Sequence, residues 1–206
     1  MYTPRSFAEH DLAKLQQVVD DYPFGLLVTA HESVPTVTHL PWLLDRSRGE
    51  FGVLQAHMAR ANPHWKQLEE EGSALVVFQG PHDYVSPAWY ESPNLVPTWN
   101  YIAVHACGPV RVLHSETDAA ATVSALTARF ESLQESPWRL DMESSTNQRM
   151  LSAIVAFEVE VIELSGKFKL NQNRGEADRK GVVDALADTN APLAAAMSAV
   201  DVEPSA

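Results

Sequence analysis

The chain is almost free of cysteine: Cys107 stands alone among 206 residues. No intramolecular disulfide can form, which fits a reducing compartment. No apolar stretch of signal-peptide type follows Met1-Tyr2-Thr3-Pro4-Arg5, so the expected location is the cytoplasm. Long hydrophobic runs are missing as well. Ala191 to Val200, the longest uncharged stretch near the end, is about half of the roughly 20 residues that a bilayer span needs, and no membrane role is expected. Basic charge is scarce, with 15 Lys and Arg against 27 Asp and Glu and a formal net charge of -12. Affinity for nucleic acid comes mainly from cations that neutralise phosphates. An acidic chain without a helix-turn-helix pattern therefore argues against direct nucleic-acid binding.

Several catalytic signatures are absent too. The nine glycines form no dinucleotide fingerprint, no Walker loop and no Gly-x-Ser-x-Gly elbow, which removes Rossmann, P-loop and α/β-hydrolase readings. Eight histidines are present, but His57 and His64 lie seven apart and no His-x-x-x-His or Cys-x-x-Cys spacing occurs. No metal site is expected.

What remains is an ordinary globular composition, 45% hydrophobic and 20% charged, at a length that suits one well-buried core. The expected organisation is a single domain over 1–190, then a C-terminal helix and frayed tail over 191–206. Leu12, Leu15, Val18 and Val19 recur at helical spacing, predicting a helix over about 8–21 that ends before Pro23. β-rich segments follow at 24–29, 36–44 and 52–56, separated by polar turns. Asn62-Pro63 reads as a cap and first position of a helix running to Gly72. Further strands are expected at 74–78, 98–106, 109–113 and 154–162, with helices at about 117–134 (capped by Thr117 or Ser115), 176–187 and 191–200. Short antiparallel strands with peripheral helices make a small antiparallel barrel the expected architecture, an α+β class that is mainly β.

Four segments carry candidate chemistry. Gln55-Ala56-His57-Met58-Ala59-Arg60-Ala61-Asn62-Pro63 joins a strand end to a helix start, where unpaired N–H groups, the positive helix end and the Arg60 fork can cradle a phosphate. An ordinary helix cap beside a solvated arginine is the alternative. On the neighbouring strand, Thr38-His39-Leu40-Pro41 combines a ladder-breaking proline with a histidine that either faces a cleft or is a satisfied structural residue. Pro97-Thr98-Trp99-Asn100-Tyr101 sets aromatics beside an amide, suited to a flat heterocycle; core or dimer contacts explain the same pattern. In Lys167-Phe168-Lys169-Leu170-Asn171-Gln172-Asn173-Arg174, two lysines on one strand face form a basic edge, or else the segment is a solvated turn.

Taken together, these segments resemble the PaiB family of FMN-binding proteins, named as negative transcriptional regulators of protease synthesis and sporulation. The likeness is carried by Met1-Tyr2-Thr3-Pro4, Thr38-His39-Leu40-Pro41, His57 to Pro63, Phe78-Gln79-Gly80-Pro81-His82, Ser86-Pro87-Ala88-Trp89-Tyr90, Pro97 to Tyr101 and Lys169 to Asn173. It implies an antiparallel six-stranded split β-barrel of pyridoxamine-phosphate-oxidase type, a homodimer, and FMN at the subunit interface. By that resemblance the cofactor residues are Thr38, His39, Leu40 and Pro41 along the ribityl chain and ring, and Gln55, Ala56, His57, Met58, Ala59 and Arg60 around the phosphate. Trp99 and Asn100 would come from the partner subunit, and Lys169 and Gln172 would close the site. The oxidases usually carry Arg and Lys on the strand where this chain has His39 and Asp45, which leaves fewer fixed charges for the phosphate.

No acid, base or nucleophile arrangement stands out, so no catalytic residue is assigned. Two functions follow from the resemblance: a flavin-binding negative transcriptional regulator that acts indirectly, and an FMN-dependent oxidoreductase or flavin reductase acting on a small molecule. Haem binding or degradation on the same barrel rests on histidine count and fold analogy.

Overall fold

The structure, a computed structural model, describes residues 1–30 and 33–200. The tail expected at 201–206 lies outside the described residues. The strands are β1 (Ala8–Glu9), β2 (Phe24–Thr29), β3 (Thr36–Pro41), β4 (Leu43–Asp45), β5 (Val53–Ala59), β6 (Ser73–Val85), β7 (Thr98–Leu113), β8 (Ile154–Glu160) and β9 (Glu163–Lys169). The helices are α1 (Leu12–Asp21), α2 (His64–Glu71), α3 (Glu116–Glu131), α4 (Ser145–Leu151), α5 (Glu176–Leu186) and α6 (Ala191–Ser198). The class is α+β and mainly β, as expected, with nine strands among the described residues instead of six. None of these helices is long and apolar enough to cross a membrane.

Local chemistry explains most departures from the expected boundaries. The first helix begins at Leu12 because Asp11 Oδ1 accepts the N–H groups of Ala13 and Lys14, at 2.9 and 3.3 Å, an N-cap that leaves residues 8 and 9 free to pair as β1. The strand expected over 36–44 breaks at Trp42. Pro41 has no N–H for the ladder, Trp42 N donates to the Pro23 carbonyl at 2.9 Å, and the buried indole meets Phe157 edge-on at 5.6 Å. Conversely, 98–113 is one strand where two were expected. A Cβ on Gly108 would stand 1.7 Å from the Glu160 carbonyl oxygen, so glycine permits a close backbone approach there and the ladder resumes at Val110 with Val159. Ser115 caps α3 by accepting from Asp118 N, and the short α4 has no counterpart among the expected elements.

The described residues divide into two compact units, with boundaries inside α1, β6, β7 and β9. One comprises 16–78 and 105–164. In it β2 pairs antiparallel with both β3 and β6, while β5 pairs with β4 and β8, and β8 with β7. Helix α3 packs on β4, β5 and β8, where Ala119, Leu113 and Ala156 are buried together with Ile154 against them.

The other unit comprises 1–15, 79–104 and 165 onward. Here β1 pairs with β9, Ala8 opposite Lys167, and α5 packs against α6. Gly181 of α5 lets the helix approach the Trp89 carbonyl, where a Cβ would lie 2.1 Å away. Buried Asp178, on the same helix, accepts the N–H groups of Glu91 and Ser92 at 2.9 and 2.8 Å. Those hydrogen bonds, Ser92 first, hold its carboxyl below the usual carboxylate range and pin the loop before β7.

Candidate functional site

Alternation decides which candidate side chains a ligand can meet. On β3, Thr38 is half-buried and Leu40 buried, while His39 projects outward with its ring 6.2 Å from that of Phe24. On β5, Ala56 and Met58 point into the core, and Gln55, His57 and Ala59 lie on the other face. The side chains of Leu40, Ala56 and Met58 are thus closed to a ligand, and these positions can offer only backbone. Gln55 is engaged as well: its Nε2 donates to Glu158 Oε1 at 2.8 Å.

The joint between β5 and α2 differs from the open cradle that its sequence suggests. Arg60 Nε donates to the Ser152 carbonyl at 2.9 Å and an Nη to the Ile154 carbonyl at 2.8 Å, while its own N–H reaches Ala153 O at 2.8 Å. The fork therefore clasps the stretch that leads from α4 into β8, and its second terminal nitrogen has no partner among the described residues. Asn62 Oδ1 accepts from His64 N at 3.1 Å, so part of the helix N-terminus is already satisfied.

A closed polar circuit lies behind this joint. His64, fully buried, sits between Thr29 Oγ1 at 2.9 Å from Nε2 and Thr38 Oγ1 at 2.7 Å from Nδ1. Thr38 Oγ1 also accepts from Asn62 Nδ2 at 3.2 Å, and Thr29 Oγ1 donates to Gln67 Oε1 at 3.3 Å. Burial pushes the His64 pKa down. His57 is likewise pushed down by burial, and its Nδ1 is enclosed without a partner. Just past the end of β5, the remaining terminal nitrogen of exposed Arg60 is a cationic donor suited to a phosphate-bearing ligand, while the strand before it carries the unpartnered, enclosed His57 Nδ1.

A second polar centre lies on the β4–β5 turn and β8. Glu158 is 7% exposed and accepts both terminal nitrogens of Arg48, at 2.7 and 3.0 Å, and Arg111 at 2.5 Å. Hydrogen bonds from Arg48 first, then Gln55 and Arg111, hold its pKa at about 2. Sequence reading passed over Glu158 because Glu158 and Glu160 alternate as a solvated strand face would. It passed over His64 because a lone histidine after Asn-Pro has no ligand spacing.

In the other unit, Trp99 is 54% exposed and Asn100 fully buried, again by alternation. Asn100 Nδ2 donates to Met197 Sδ at 3.3 Å and its Oδ1 has no partner, so its side chain lies in the core of this unit with one polar atom unmatched. Lys169 Nζ donates to Thr98 Oγ1 and the Trp99 carbonyl, both at 2.5 Å, and burial, then Lys167 and Arg174, push its pKa down. Gln172 is turned onto its own backbone, accepting from Leu170 N at 2.7 Å and donating to Phe168 O at 2.5 Å. Tyr84, 41% exposed, stands edge-on to Trp99 at 6.2 Å. Lys167 lies over the rings of Tyr2 and Tyr101 at 5.7 and 5.3 Å. The fourteen candidates thus fall into two sets, Thr38 to Pro41 with Gln55 to Arg60 in one unit, and Trp99, Asn100, Lys169 and Gln172 in the other. Among the described residues no three His, Cys, Asp or Glu side chains gather as metal ligands.

Comparison with known proteins follows the same lines. Residues 1–163 match the family described as "Putative FMN-binding domain". The chain is 32% identical over 199 residues to the Bacillus subtilis "Protease synthase and sporulation protein PAI 2", covering 96% of this chain and 95% of that one. It is 34% identical over 224 residues to "Uncharacterized protein AN0679" of Emericella nidulans, covering 89% of each. Among solved structures, its fold is similar to that of the FAD and heme binding protein from Mycobacterium smegmatis, with a TM-score of 0.61 at 16% identity over 79% of this chain and 73% of that one. It is also similar to the flavocytochrome Anf3 from Azotobacter vinelandii, with a TM-score of 0.59 at 16% identity over 81% and 72%. The chain therefore belongs to the PaiB-type family of FMN-binding domains, built on the split-barrel fold, with FMN as its cofactor.

Proposed function

We propose that the chain is a cytoplasmic homodimeric flavin protein that holds FMN at its subunit interface and represses transcription indirectly, through a partner protein or a metabolic signal. In this reading His39, Leu40 and Pro41 border the ribityl chain and ring, Leu40 through backbone. His57, Arg60 and the backbone of Ala56, Met58 and Ala59 surround the phosphate. Trp99 approaches the ring from the partner subunit, with Lys169 and Gln172, which share its unit, closing the site from that same partner. The observation that carries the reading is the 32% identity to the Bacillus subtilis sporulation protein across nearly the full length of both chains. The net charge of -12 favours an indirect route over operator contact, and exposed Trp99 and Tyr84 are aromatic surface suited to an interface.

The visible spectrum and solution mass of the purified protein test this reading. Protein-bound flavin bands from a dimer are expected; a monomer that takes up no FMN overturns it. A salt-dependent, sequence-selective shift of promoter DNA would replace the indirect route with a direct one.

A second reading, an FMN-dependent oxidoreductase on a small molecule, is favoured by the exposed Trp99–Tyr84 ring pair beside Lys169. That surface suits a second planar, anionic ring next to the flavin. Reduction of bound FMN by NADH or NADPH faster than free FMN supports this reading, and equal rates remove it.

A further inference from the structure

Strand β3 and the β5–α2 joint carry the residues assigned above to the flavin, and one side chain ties them together. His64 Nδ1 faces the hydroxyl of Thr38 on β3 and Nε2 faces that of Thr29 on β2. Its backbone N–H is held by Asn62, which reaches Thr38 in turn. The hydrogens of this circuit can be counted. Thr29 gives its hydroxyl hydrogen to Gln67 Oε1, so Thr29 Oγ1 must accept from His64, which puts the ring proton on Nε2. Bare Nδ1 then accepts the Thr38 hydroxyl, and Thr38 Oγ1 accepts from Asn62. Each hydrogen bond among these groups then has one donor and one acceptor, and the ring is neutral.

We propose that His64 is a positioning residue for the FMN site, locking Thr38 and Asn62 in register so that β3 and the β5–α2 joint present their groups to the flavin only while the ring is neutral. The inference rests on the flavin reading above and deepens it.

Protonation at Nδ1 puts two donors between His64 and Thr38, and the Thr38 hydroxyl must turn away toward no acceptor in the circuit. The groups that face the ring from β2, β3 and the joint are the hydroxyls of Thr29 and Thr38 and the amide of Asn62, with Gln67 from its own helix. Among the described residues none of these is charged, so none compensates an imidazolium cut off from water. His39, the next titratable side chain along β3, projects from the opposite face. Desolvation, which lowers the His64 pKa, acts in the same direction as this geometry.

The test measures FMN affinity from quenching of flavin fluorescence between pH 5 and 8, for the wild type, His64→Gln and Thr38→Val. The phosphate of FMN itself gains a proton near pH ~6 and weakens binding in every variant, so the reading is the excess fall of the wild type over His64→Gln. A larger fall in the wild type than in His64→Gln at the acid end of this range is expected, together with at least tenfold weaker binding by Thr38→Val at pH 7.5. Equal pH profiles for wild type and His64→Gln overturn the proposal, as does wild-type affinity in Thr38→Val. Nitrogen-15 shifts of the His64 ring give a check that needs no variant: a neutral Nε2–H tautomer at pH 7 is expected, and an Nδ1–H tautomer overturns the circuit. A wild type that binds no FMN at any pH removes the flavin reading and this inference together, whereas pH-insensitive binding removes only the inference.

Discussion

Arg60 donates through its guanidinium to the carbonyl of Ile154, 94 residues further along the chain, at 2.8 Å. With the neighbouring bond to Ser152 at 2.9 Å, the side chain that the sequence offers as a phosphate ligand also fastens the start of β8 to the end of β5. Its loss therefore has two consequences that must be separated.

Arg60→Ala is expected to lower stability by about 1–2 kcal/mol, since two charge-assisted bonds to backbone disappear from an exposed site. Urea unfolding monitored by tryptophan fluorescence measures this. Arg60→Lys keeps a cation but not the two-pronged clasp, so it should unfold like Arg60→Ala while retaining more flavin affinity; equal flavin affinity in the two variants would remove Arg60 from the phosphate.

Glu158 contributes to acid stability. Its pKa is held at about 2, below the ordinary value of about 4.5 that it regains on unfolding. A depressed carboxyl contributes stability that is fully present above the unfolded pKa and is lost as pH falls toward 2. The contribution amounts to at most about 3 kcal/mol, reduced by the solvent around Arg48 and Arg111. Urea midpoints for the wild type should fall between pH 4.5 and 2.5, and Glu158→Gln should lose most of that slope.

At neutral pH, Glu158→Gln itself should cost about 1–3 kcal/mol, because Arg48 and Arg111 lose their shared partner. Both arginines reach water, at 42% and 66% side-chain exposure, so the lower half of that range is expected. Thermal unfolding provides the measure.

Gly108→Ala is the most severe single methyl addition proposed. The new Cβ would meet the Glu160 carbonyl at 1.7 Å, and backbone cannot swing aside as a flexible side chain can. A loss above about 3 kcal/mol, or no soluble protein, is expected; wild-type thermal stability would mean that β7 and β8 separate freely there.

Trp99→Ala addresses the proposed dimer. The indole is half-exposed on one chain, so truncation should leave the unfolding midpoint of the isolated subunit nearly unchanged while shifting the dimer toward monomer in sedimentation experiments. An unchanged dissociation constant would place the interface elsewhere.

Local signals determined much of this protein by themselves. The strand at 24–29, the helix after Asn62-Pro63, the Ser115 cap and the inward–outward alternation on β3, β5 and β7 follow from side-chain period and capping chemistry, which act over a few residues. Family resemblance, carried by short motifs such as His57 to Pro63, supplied FMN. Tertiary structure alone decided how the polar groups are used. That Arg60 clasps residues 152–154, that Gln55 and two arginines converge on Glu158, and that Asn100 lies in the core against Met197 depend on partners 92, 103, 110, 47 and 97 residues away. A buried donor or acceptor must find a partner wherever the fold brings one, and no local pattern records which one that is. His64 spans both cases: its place after a helix-starting Asn-Pro is legible in the sequence, but its role between Thr29 and Thr38 exists only once β2 and β3 have paired beside α2.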